Sequence, residues 1–238
     1  MKKFFLSINT CIVLLGMVGT TQATLVTIGT ATYGGSDYNL IWDDNNNGNS
    51  VVWLDYTNAQ ASWTAQNSWA AGLDGSLTYN IDSAYTVSWD TDWRLGSTVD
   101  GEYQNGYDGT TTAGYNITTS EMGHLYYEEL GNLGGYDTSG NNQAGYGLIN
   151  TGDFENLTEE GYWSGTRFAE ITSVDYGWLF NFRDGFQGED PSDLISYYGL
   201  AVRSGQISAA APVPEPATMI LFGTGLVGLA GLRRKRKR

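Results

Sequence analysis

The run Asp43-Asp44-Asn45-Asn46-Asn47-Gly48-Asn49-Ser50 sets oxygen-bearing side chains at alternating positions, with a glycine sixth from Asp43. A loop of that kind can wrap a hard cation, and Asp43, Asn45 and Asn47 are the candidate calcium ligands. The twelfth position is Leu54 instead of a bidentate glutamate, so the same residues also read as an Asx-rich hairpin turn. Beyond this calcium alternative no cofactor is expected. His124 is the single histidine; a histidine cluster for a metal is excluded, and a Ser/His/Asp arrangement would rest on it alone. Its place beside Tyr126 and Tyr127 on a predicted helix suits a packed or surface side chain better than a catalytic one. Acids are plentiful enough for the paired carboxylates of glycoside hydrolysis, but none stands in a recognisable context. No catalytic residue is assigned, and the chain is expected not to be an enzyme. Asn116-Ile-Thr118 and Asn156-Leu-Thr158 match the N-glycosylation sequon.

Charge narrows the partners. Between Thr24 and Pro212 the basic residues are Arg94, Arg167, Arg183 and Arg203 against 25 acids, a net charge near −21. Such a surface repels nucleic acid and other polyanions, heparin-like ligands included. It suits a solvated extracellular polypeptide. Tyr103, Tyr107 and Tyr115 lie in a Gly-rich stretch and are the candidates for an exposed aromatic, ligand-contacting surface.

The elements that must position these residues follow from periodicity. Leu25 to Thr32, Tyr38 to Trp42 and Val51 to Leu54 read as strands, the last two forming a hairpin about the Asn/Gly-rich turn. Helical spacing of Ala59, Trp63, Ala70 and Leu73 after Thr57 predicts a helix. A second is predicted from Glu121, with Met122, Leu125, Tyr126 and Leu130 on one side and Gly131 as its stop. Long loops fill Gly96 to Asn116 and Gly131 to Glu160. Strands return at Tyr162 to Ser164, Gly177 to Phe182 and Tyr198 to Arg203. The order implies an α+β fold in which the two ends of the region pair.

The termini read as addresses. Lys2 and Lys3, an apolar stretch containing Cys11, and Thr21-Gln22-Ala23 form a secretory signal peptide over 1–23, with Ala23 the last residue removed. Cys11, the only cysteine, leaves with it, so no disulfide, zinc site or thiol nucleophile is expected. At the other end Val213-Pro214-Glu215-Pro216 precedes an apolar run, Ala217 to Leu232, and the cluster Arg233-Arg234-Lys235-Arg236-Lys237-Arg238. The run is about 24 Å long as a helix, shorter than the roughly 30 Å hydrocarbon core, and the cations hold its end on the cytoplasmic side. Motif, helix and basic cluster in this order resemble the PEP-CTERM tail recognised by exosortases. The resemblance implies passage through the Sec translocon, transient anchoring in the inner membrane, and cleavage near Pro-Glu-Pro. Its implied destination is the cell surface or extracellular matrix of a Gram-negative bacterium.

Six spaced elements between Ile41 and Ser204 resemble a second family, the Lcl C-terminal type of bacterial domain. They are Val52-Trp53-Leu54-Asp55, the Trp63/Trp69 helix, Asp92-Trp93-Arg94-Leu95, Tyr162-Trp163-Ser164-Gly165-Thr166, Trp178 through Gly185, and Tyr198 through Arg203. Gly96 replaces the proline usual after Trp-Arg-Leu, and the loop that follows is longer than the family core needs. The resemblance implies a single compact C-type-lectin-like α+β domain with short strands, two helices and long loops, some members of which bind surface polysaccharides. Trp93, Arg94, Trp163, Trp178 and Arg203 are expected to be structural ties. The organisation is then a signal peptide at 1–23, the domain at 24–204, a linker at 205–212 and the sorting tail at 213–238. The leading expectation is a non-enzymatic surface protein that contacts exopolysaccharide; the alternatives are an exported hydrolase of that polymer and a purely structural cargo.

Overall fold

The computed structural model describes residues 25–170 and 176–210. Strands Leu25–Tyr33 (β1), Ser36–Asn46 (β2) and Asn49–Ala61 (β3) form an antiparallel meander. Every residue from Val51 to Asp55 is buried, because successive side chains supply opposite faces of the sheet. Val51 and Trp53 join Ile41 in one core, and Val52 and Leu54 join Leu40 in the other. The β2–β3 turn is Asn47-Gly48, with φ of 51° and 82°. This two-residue geometry matches the twist of the flanking strands and needs residues that tolerate positive φ.

The chain then makes a helix, Trp63–Ala71 (α1), and the strands Thr78–Ile81 (β4), Tyr85–Trp89 (β5), Arg94–Leu95 (β6), Asn105–Gly106 (β7) and Ala113–Gly114 (β8). A short helix, Glu121–His124 (α2), runs directly into a π turn, Leu125–Glu129. Gly161–Phe168 (β9), Tyr176–Asn181 (β10), Phe186–Pro191 (β11) and Tyr197–Ala209 (β12) complete a 12-stranded sheet. Its central path runs β4-β1-β2-β3-β12-β9-β10-β11-β8-β7. The last strand is the hub, since β3, β9, β6 and β5 all pair with β12. One core lies between the sheet and the α2/π-turn segment; the other is covered by Leu73, Trp93 and the partly buried Trp69.

This architecture corrects the α+β, C-type-lectin-like expectation. The fold is mostly β: 47% strand and 12% helix. The predicted first helix begins late, because Thr57 and Asn58 continue β3 by pairing with Leu200 and Gly199. Tertiary pairing there outweighs a weak helical pattern. Ser62, not Thr57, is the N-cap, accepting from the Ala65 N–H, and α1 buries only Gln66 and Ala70. The predicted second helix is α-helical for four residues only. Strand β12 also continues through Gly205–Ala209 against β5, so residues assigned to the start of a linker are zipped into the sheet.

Candidate functional site

The loops between β6 and β9 are closed largely by their own side chains. Asp108 accepts from the N–H and hydroxyl of Thr110, and Asp137 accepts from the N–H groups of Ser139 and Asn141. Both are Asx turns, which fix a loop without a regular ladder. Asn116 adopts φ 60° and donates to the carbonyls of Tyr107 and Tyr136, tying two loops together. Asn132, 4% exposed, accepts from the N–H groups of Ile149 and Asn150 and donates back to the Asn150 carbonyl. Gln143 donates to the carbonyls of Gly134 and Tyr136. The Tyr127 hydroxyl donates to the Gly185 carbonyl and accepts from the Asn116 N–H.

Between these loops lies a cleft of about 470 Å³. Its wall presents the carboxylates Asp108, Glu128 and Asp137, the carboxamides Asn116, Asn132 and Gln143, and the phenol of Tyr127 beside Leu133. Hydrogen bonds from their own loops hold the Asp108 and Asp137 carboxyls below the usual carboxylate range. Convergent polar groups on a partly apolar wall are what orients a polyhydroxylated ligand.

Tyrosines border the cleft. Tyr107 and Tyr115 stack with ring centroids 6.1 Å apart and planes 7° from parallel, and Tyr136 tilts against both at 5.2 and 4.9 Å. The Tyr115 hydroxyl is pushed up to about 12 by burial and the nearby Asp184 charge. Of the predicted aromatic surface, the structure brings Tyr107 and Tyr115 together and adds Tyr136. Tyr103 stands apart, near the charges of Glu189 and Asp190. Asn132, Gln143 and Tyr136 were not singled out from the sequence; their loops carry no periodic pattern, and their partners are set by tertiary contact.

The remaining site residues have other duties. The two oxygens of Asp43 accept from the Asn45 N–H, the Asn46 amide and the Trp53 indole, and Asn47 docks on the Ser120 carbonyl. Asp43, Asn45 and Asn47 thus build a hairpin turn held by protein partners. Among the described residues no group of three or more acidic, histidine or cysteine side chains is arranged to hold a metal. The sequon nitrogens are engaged too: Asn116 as above, Asn156 on the backbone carbonyl and carboxylate of Asp55. His124 faces Glu129, with 3.2 Å between Nε2 and Oε1.

The Trp/Arg motifs tie the scaffold. The indoles of Trp93, Trp163 and Trp178 donate to the Tyr79 hydroxyl, the Ala61 carbonyl and Asp100 at 2.7, 3.0 and 2.9 Å. Arg94 forks onto Glu121 at 2.5 and 2.7 Å. Arg203 reaches Asp74 and the Thr91 carbonyl and lies 4.8 Å from the Trp89 ring centroid. A planar guanidinium suits both uses.

Ala23, Val213, Pro214, Glu215, Pro216, Arg233, Arg234, Lys235 and Arg236 lie outside the described residues. Among the described residues no helix is long and apolar enough to cross a membrane. The family described as PEP-CTERM protein-sorting motif matches residues 212–236. That motif is the sorting signal of exported bacterial proteins processed by exosortase at the membrane. No curated protein and no solved structure matches the chain. The resemblance of residues 41–204 to the Lcl C-terminal type therefore has no support from known proteins, and the strand-dominated fold stands against it.

Proposed function

We propose that the chain is a non-enzymatic protein of the cell surface or extracellular matrix of a Gram-negative bacterium, released from a transient inner-membrane anchor and binding exopolysaccharide in the loop cleft. The observation that carries this reading is the sorting motif over residues 212–236. The cleft adds the ligand half, because carboxamides, carboxylates and the phenol of Tyr127 converge on a cavity of sugar-binding size. A hydrolase needs one carboxyl held protonated near neutral pH. Two of the three wall carboxyls, Asp108 and Asp137, are shifted the other way, and the raised carboxyl nearby, Glu129, is buried behind the wall and does not line it, which favours binding without cleavage. The Sec translocon and exosortase are the export partners, and calcium is not part of the proposal.

Two measurements on protein recovered from the native host test it. Mass spectrometry of the mature termini should place the first residue after Ala23 and the last near Pro214–Pro216. The same protein should sediment with the host's own extracellular polysaccharide and release no reducing sugar from it. Intact termini in cytosolic protein would sink the export reading, and failure to associate with the polymer would sink the ligand half.

A further inference from the structure

The π turn after α2 has a local cause and a consequence. In an α-helix, residues five apart point about 140° away from one another around the axis. His124 and Glu129 are five apart and yet meet, because the turn between them is widened, with the Leu130 N–H donating to the Leu125 carbonyl at 2.9 Å. The Glu129 side chain is 2% exposed; one carboxylate oxygen faces His124, and the other, Oε2, has no hydrogen-bond partner. Facing it electrostatically are Asp43 and Asp44 of β2 and Glu128 of its own turn. The guanidinium at the start of the helix, Arg94, is held by Glu121. A buried oxygen without a donor, set among like charges, is costly unless it carries a proton.

We propose that His124 and Glu129 form a proton-binding latch that holds the π turn in place, and that loss of the shared proton loosens the cleft wall built on that turn. Tyr127 and Glu128 belong to the same five residues and line the cleft, so the latch sits directly behind the wall. Burial pushes the Glu129 carboxyl up to about 7, and the charges of Asp43, Asp44 and Glu128 add to the rise. Because this value is raised above the ordinary 4.5, the latch is fully closed below about 4.5 and opens as pH rises through about 7. Only the coupling to ligand rests on the cleft reading proposed above.

His124 is the sole histidine, so its ring proton resonance is free of overlap, and the Glu129→Gln comparison separates the Glu129 contact from the Asp43 charge that also faces His124. The test is an NMR titration of the full-length chain in detergent micelles from pH 5 to 9, with amide exchange across residues 125–132, for wild type, Glu129→Gln and, as a second variant, His124→Gln. Wild type should lose about tenfold protection at Leu130 and Asn132 between pH 6 and 8, after correction for intrinsic exchange. Glu129→Gln should lose less than about twofold and show a moved His124 midpoint, whereas His124→Gln, which keeps the buried carboxyl, should still lose protection as pH rises. Identical His124 titrations in wild type and Glu129→Gln, or equal protection loss in all three proteins, would overturn the latch. The host exopolysaccharide should bind more weakly at pH 8 than at pH 6 in wild type and equally at both in Glu129→Gln. Equal binding by wild type at both pH values overturns the coupling. Absence of binding at any pH counts against the cleft reading, while the latch is still judged by the His124 titration.

Discussion

The sheet and the loop cap are built from different forces. In β1, β2, β3 and β12 the backbone pairs with itself and the side chains enter two cores, with Trp53, Leu54, Val202 and Ala201 all fully buried. In the loops between β6 and β9 side chains do the work of a ladder: Asn116, Asn132, Asp137 and Gln143 each satisfy two or more backbone groups. Apolar packing is non-directional and spreads its energy over many neighbours. A carboxamide bridging two loops is directional, because its NH2 donates and its oxygen accepts in a fixed plane. The sheet should therefore fail as a whole, and the loops one tie at a time.

The largest effect is expected in the sheet. Trp53→Ala removes a fully buried indole that also donates to Asp43, at a cost of about 3–5 kcal/mol. For a domain of this size that is a fall in melting temperature of roughly 6–20 °C, seen equally by far-UV and near-UV circular dichroism. A local loss confined to the near-UV signal would break the contrast with the loops. Next is Asp55→Ala. Asp55 is 1% exposed and receives the N–H groups of Glu155 and Asn156 and the Asn156 amide. Leaving those donors unpaired should cost about 2–3 kcal/mol, and because Asp55 is on β3 while its donors are on the loop, it sits on the boundary between the two regimes. Asn132→Ala should cost less, about 1–2 kcal/mol. Its signature is faster amide exchange at Ile149 and Asn150 with β3 and β12 unchanged; exchange rising across the sheet would erase the distinction.

That same division decided what could be read from the residues alone. The β2–β3 hairpin was legible because alternation and Asn47-Gly48 are local signals. Strand β5 was missed: Tyr85–Trp89 alternates, but it is only half-buried and exists by pairing with Gly205–Ala209 at the far end of the region. The helix content was overestimated because Thr57–Ala61 carries helical spacing while its partner strand lies more than a hundred residues away. Nothing local could weigh that partner. In the site, Tyr107 and Tyr115 stood out by composition, whereas Tyr136 and the carboxamides joined them only through loop-to-loop contacts. The acidic turn was seen, but whether its oxygens would face an ion or the Trp53 indole depended on the core beneath it.

The smallest stability effects are the most informative for ligand binding. Tyr103 and Tyr107 are exposed to similar extents, 41% and 39%, yet their surroundings differ. Tyr107 stacks with Tyr115, leans on Tyr136 and sits next to Asp108 of the cleft wall; Tyr103 is placed by Glu189 and Asp190 on the β11 side. Truncating Tyr103 should change stability by less than about 0.5 kcal/mol, as for surface sites in general. Truncating Tyr107 should cost about 1 kcal/mol, since its aromatic contacts are partial. Binding should separate them further. If the cleft holds the polymer, Tyr107→Ala weakens association with the host's exopolysaccharide about tenfold, equivalent to about 1.4 kcal/mol, and Tyr103→Ala leaves it within twofold. The reverse ranking would move the ligand surface off the carboxamide-tied loops and onto the sheet beside β11, where strand pairing and not side-chain bridging would have to position it.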